Sequence, residues 1–132
     1  GANTEDKDKD GYTPLHIAVI NGHMKVAQYL TEEGVDIDDQ DNDGYTPLHL
    51  AVQCGYIEIV KYLIAQGANK EAASDYGYTS LHIAAQCGYT EIVKYLISQG
   101  VDTEVKENDD LKAIDIARER GYQAIVDLLS YK

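Results

Sequence analysis

The chain has 132 residues, 44% of them hydrophobic, with 11 basic against 23 acidic side chains and a formal charge of −12. That length accommodates one domain, and the apolar content is that of a folded protein rather than of a disordered acidic tract. So negative a balance repels phosphate backbones and anionic lipid heads, which disfavours nucleic acid and membrane as partners and favours a protein or peptide with a basic segment.

In chain order, residues 1–8 read as the tail of a preceding unit, because Gly1-Ala2-Asn3 aligns with Gly34-Val35-Asp36 and Gly67-Ala68-Asn69. The octad Gly-Tyr-Thr-Pro-Leu-His-Leu-Ala at Gly44–Ala51 is matched at Gly11–Ala18 and at Gly77–Ala84, in steps of 33 residues. A degraded copy over Asp110–Ala117 keeps the apolar pattern with Leu111, Ala113, Ile114, Ile116 and Ala117. A period of this length denotes a stacked solenoid, with units at 9–41, 42–74, 75–107 and 108–132.

Each unit opens on a turn whose glycine (Gly11, Gly44, Gly77; Asp110 in the last) supplies a conformation other residues enter at a cost. Thr13, Thr46 and Thr79 are suited to N-cap a helix, and Pro14 and Pro47 to be its first residue. A first helix of about eight residues is predicted to end at Gly22, Gly55, Gly88 or Gly121, each suited to the left-handed cap. A second helix is predicted from Met24 to Glu33 and at equivalent positions, with Ile57, Ile59, Val60, Leu63 and Ile64 as its apolar stripe in the second unit. Helices so short are marginal alone, so each must bury its face on a neighbour.

The ends of the array differ from its middle. Thr31 and Ser130 stand where inner units carry Ile64 and Ile97, and Arg118, Glu119, Arg120 and Asp115 replace Ala85, Gln86, Cys87 and His82, which reads as a polar outer surface. The first unit keeps Val19 and Ile20, which predicts an exposed apolar patch there or a further repeat that covers it.

Chemistry is sparse. His16, His49 and His82 lie one stack spacing of ~10 Å apart and cannot share a metal, so no metal site is expected. Cys54 and Cys87 hold equivalent places too far apart for a disulfide and are expected as free thiols, which points to the cytoplasm or nucleus. No apolar run is long enough to cross a bilayer and no secretory leader is present, so a soluble, non-secreted protein is expected. No phosphate-binding glycine loop or divergent carboxylate pair is present, so neither cofactor nor enzymatic activity is expected.

The octad resembles the ankyrin repeat signature, with Thr-Pro-Leu-His intact at Thr13–His16 and Thr46–His49, and altered to Thr79-Ser80-Leu81-His82 and Lys112-Ala113-Ile114-Asp115. The resemblance implies an all-α solenoid of stacked helix-turn-helix units joined by β-hairpin-like turns. It implies a structural histidine, bonded to the threonine of its own motif and tying neighbouring turns together. It also implies a non-enzymatic module that binds protein or peptide through a concave face of hairpin tips and first helices. Carried over by position, that face comprises Lys9, Asp10, Tyr12, Ile20 and Asn21; Asn42, Asp43, Tyr45, Gln53 and Cys54; Asp75, Tyr76, Tyr78, Gln86 and Cys87; and Asn108, Asp109 and Leu111.

Two questions stay open at this point. Tyr12, Tyr45 and Tyr78 serve either as recognition residues or as a packing ladder along the hairpins. The aspartates serve either turn chemistry or a basic ligand. The expected state is a monomer; the alternative is a reconstructed, designed or excerpted scaffold without a specific ligand, or one that self-associates through Val19 and Ile20.

Overall fold

The structure is a computed structural model and describes residues 6–130. The alignment of Gly1-Ala2-Asn3 with later units lies outside the described residues. Among the described residues eight helices follow one another in pairs: α1 (Pro14–Ile20) and α2 (Met24–Glu32), α3 (Pro47–Cys54) and α4 (Ile57–Ala65), α5 (Ser80–Cys87) and α6 (Thr90–Ser98), α7 (Ala113–Arg120) and α8 (Gln123–Ser130). The described residues hold no strand.

Each first helix starts where threonine caps it: the Thr46 hydroxyl accepts the His49 N–H at 3.3 Å, and Thr13 and Thr79 do the same for His16 and His82. Gly55, Gly88 and Gly121 end α3, α5 and α7 with φ of 76–77°. In the first pair Asn21 is the cap residue, and Gly22 behind it takes the positive φ. The cap glycine also serves packing, since a Cβ on Gly55 would meet the Tyr89 ring at 3.0 Å. Tyr56 sits likewise on Gly22, and Tyr122 on Gly88.

First helices stack on first helices (α1, α3, α5, α7), and α4, α6 and α8 form the second layer behind α3, α5 and α7, with α2 behind α1. Between the layers Leu15, Leu48 and Leu81 from first helices and Val60, Leu63, Val93 and Leu96 from second helices are buried in one continuous core. Alanines at 18, 51, 84 and 117, each at most 3% exposed, let the first helices approach closely.

Two expectations about the ends are corrected. Val19 is fully buried and Ile20 half-buried, so neither forms an exposed patch. Position 19 faces the following pair: Val52 and Ala85 are buried, and Arg118, after whose pair the described residues hold no further one, is exposed. The exposed apolar side chains of the first pair are Ile17, Val26 and Tyr29, which face the other way. Thr31 is not on an outer surface either: it is half-buried against α4, its hydroxyl bonded to the Tyr62 hydroxyl and to Gln28 O.

Candidate functional site

Each helix pair is entered through a hairpin, and one acceptor shapes each hairpin. The Asp8 carboxylate accepts the N–H groups of Asp10 and Tyr12, and Asp41 those of Asp43 and Tyr45, all at 2.9 Å. Glu107 accepts Asp109 and Leu111 at 2.7 and 2.9 Å, whereas the shorter Ser74 reaches Tyr76 and Tyr78 only at 3.3 Å. The tip glycine then turns the chain; a Cβ on Gly44 would lie 2.5 Å from an Asp75 oxygen, so the next hairpin excludes any side chain there.

Consecutive hairpins are joined directly. Asn42 N–H donates to Asp10 O and its side-chain amide to Lys9 O; Asp75 N–H donates to Asp43 O; Asn108 bonds Tyr76 O and Asp75 O in the same two ways. Such bonding leaves the tips little freedom to move independently.

The histidines tie the hairpins to the helices. In each of the three motifs the threonine N–H donates to histidine Nδ1, at 2.9–3.1 Å, which fixes the proton on Nε2. Nε2–H then donates to a carbonyl beyond its own pair: His16 to Tyr45 O, His49 to Ala72 O and His82 to Leu111 O, at 2.8–3.1 Å. His49 thus reaches the segment leading into the next hairpin, not the residue after its tip as the other two do. Burial holds all three imidazoles below the ordinary histidine value, against an opposing pull from the carbonyl bond.

Tyr12, Tyr45 and Tyr78 rest on the histidine rings of their own motifs, with centroids 5.8, 5.7 and 6.0 Å apart. Among the described residues their rings form no continuous column, although Tyr76 reaches the Tyr45 ring at 6.3 Å and donates its hydroxyl to Asp43. That bond to a carboxylate raises the Tyr76 phenol above its usual range, and burial raises Tyr12, Tyr45 and Tyr78.

None of the eighteen residues carried over by position is fully buried. Tyr45, Gln53, Tyr78, Gln86 and Cys87 converge, with Ile83, on a cavity of about 50 Å³ between the second and third hairpins. Ile20 joins the same side, its carbonyl 4.0 Å from the Cys54 thiol. Asn21 is engaged with its own helix through Ile17 O, and Leu111 lends its carbonyl to Glu107 N–H and His82. Both cysteines are free, their thiols pushed up by burial, which works against reactivity. Among the described residues no cluster of three ligating side chains could hold a metal.

A larger cleft, about 490 Å³, lies elsewhere, between α6 and α8, lined by Thr90, Lys94, Ile97, Ala124, Asp127 and Leu128. Its cause is readable in the repeat: Leu128 stands where α4 and α6 carry Tyr62 and Tyr95, and Ala124 where they carry Glu58 and Glu91. Sequence reasoning passed over this departure, as it did the acceptors Asp8, Ser74 and Glu107, whose periodic polar character was the available signal; turn chemistry, one of the two readings of the aspartates, is what Asp41 performs.

The fold and its joined hairpins define a helix-pair solenoid. A family model described as ankyrin repeats (three copies) matches residues 1–74, and one described as ankyrin repeats (many copies) matches residues 69–117. The chain belongs to the ankyrin repeat family, whose members are generally non-enzymatic modules of protein–protein interaction. A search of curated proteins finds none that matches the chain.

Proposed function

We propose that the chain binds a protein or peptide with a basic segment through its hairpin tips and the exposed side of its first helices, without catalysing a reaction. The observation that carries this reading is a division of labour among the acids. Asp8, Asp36, Asp38, Asp41, Asp102, Glu71 and Glu107 accept backbone N–H bonds in the turns or between neighbouring loops. Turn chemistry accounts for these. Asp10, Asp75 and Asp109 have exposed carboxylates that accept no hydrogen bond and join no ion pair among the described residues. They sit beside Asp43 and Tyr76 on a row of hairpins already fixed by hydrogen bonds. Little ordering entropy remains to be lost when a partner docks.

A basic segment would be drawn to this row, and salt would weaken the attraction because the carboxylates are exposed. Free thiols at Cys54 and Cys87 support a reducing location, cytoplasm or nucleus. Among the described residues no helix is long and apolar enough to cross a membrane.

The test is capture from a cell extract at low and moderate salt, with this chain and an Asp10→Asn, Asp75→Asn, Asp109→Asn variant as paired baits. The variant is expected to melt as the parent does and to lose the partner that the parent holds. Equal capture by both baits would sink the proposal.

A further inference from the structure

The helix pairs bury one another along the stack, but among the described residues nothing covers the face ahead of α1 and α2. Ile17 is 43% exposed where Leu50, Ile83 and Ile116 are 5, 5 and 6% exposed. Val26 is 47% exposed against 3, 2 and 0% for Ile59, Ile92 and Ile125. Tyr29 beside them is 58% exposed, whereas its equivalents Tyr62 and Tyr95 are half-buried. Three apolar positions that every later pair covers with the pair before it are uncovered here together.

The polar groups of the same face are also half-satisfied. Tyr45 O accepts the Asp41 N–H and, from the pair ahead, the Nε2–H of His16. Leu111 O is used in the same double way by Glu107 and His82. Tyr12 O accepts the Asp8 N–H alone among the described residues, as Tyr78 O accepts only the Ser74 N–H at the middle junction, where His49 bonds Ala72 O instead. The N–H groups of Asn42, Asp75 and Asn108 each donate to the hairpin ahead, but Lys9 N–H, at the same position, has no such acceptor among the described residues.

We infer that this face receives one more repeat, stacked in register ahead of Lys9 and carrying histidine at the position of His16. The internal junctions specify that occupant: an apolar helix side for Ile17, Val26 and Tyr29, a tip carbonyl for Lys9 N–H, and, as at two of the three junctions, an imidazole N–H for Tyr12 O. A second copy of this chain supplies a poorer set. Its trailing face has Asp115 where the histidine belongs, so a carboxylate would confront the Tyr12 carbonyl, and two chains of formal charge −12 repel each other. The inference concerns a different face from the hairpin tips and stands independently of the proposed partner.

The test duplicates residues 75–107 between Asp8 and Lys9, which supplies the histidine and tip carbonyl in register. The lengthened chain is expected to unfold in a single transition with a raised midpoint, and amide exchange in α1 and α2 to slow by roughly tenfold or more. Val26→Lys, nearly silent in the original chain, should destabilise the lengthened one. Unchanged exchange in α1 and α2, or a silent Val26→Lys in the lengthened chain, would overturn the inference. Replacing the inserted histidine by aspartate should return part of the gain; an equal gain would overturn the histidine requirement. Sedimentation of the original chain is expected to give a constant monomer mass, and a dimer abolished by Val26→Lys would assign the face to a second copy instead.

Discussion

Asp110 holds the place of the tip glycine with φ of +70°, the one non-glycine residue at positive φ among those described. A Cβ in that region crowds the following carbonyl and costs about 1–2 kcal/mol, part of which glycine's larger unfolded entropy offsets. Its ion pair with Lys106, at 3.7 Å and exposed, contributes little. Asp110→Gly is therefore expected to stabilise the protein by about 0.5–1 kcal/mol, read as a shift in urea midpoint at constant slope. A lower midpoint would mean that the carboxylate has a native partner that outweighs backbone strain.

At the scale of the helix, burial depends on which side of the stack a position faces. Ile92 of α6 lies between two pairs, so Ile92→Ala should cost about 2–4 kcal/mol. Val26 of α2 holds the same place with one side uncovered, and Val26→Ala should cost under about 0.5 kcal/mol. Denaturant titration of both variants checks the contrast, and similar costs would show that the first pair is covered in solution. The helices, their caps and the stacking were legible in the sequence because threonine, proline, glycine and apolar spacing act within a few residues. The facing was not legible: whether position 17 or 19 looks ahead depends on how successive pairs tilt on one another, a property of the stack rather than of one helix. Among the acids, the jobs of Asp41 and Asp10 were likewise hidden, since both are tip aspartates and only the placed N–H groups distinguish them.

Across the whole molecule, the three histidine bonds join each motif to the segment after it, and they share one acid response. In the folded chain Nδ1 accepts a threonine N–H, so taking up a proton there breaks the cap. Burial accordingly lowers the folded pKa values below the unfolded value of about 6.5. Above that value neither state binds the proton and stability is unaffected. As pH falls below it, the unfolded chain takes up protons that the folded chain refuses, so stability declines until the lower folded values are reached. Melting temperature is expected to drop between pH 7 and 5 in proportion to the number of histidines, with a shallower slope after His49→Asn. A flat profile above the carboxylate range would contradict the Nδ1 assignment.

The rings of Tyr56, Tyr89 and Tyr122 seated on Gly22, Gly55 and Gly88 have a consequence for how such a chain can grow. Every unit after the first carries a ring for the seat behind it, and every unit carries a seat for the ring to come; Gly121 ends the series with its seat empty among the described residues. Copying a whole period preserves the match at both seams, while a shorter or longer copy strands a ring over a side chain or leaves a gap. Length changes in such a gene would be tolerated in steps of one full period, because only a whole period brings each ring back over a glycine.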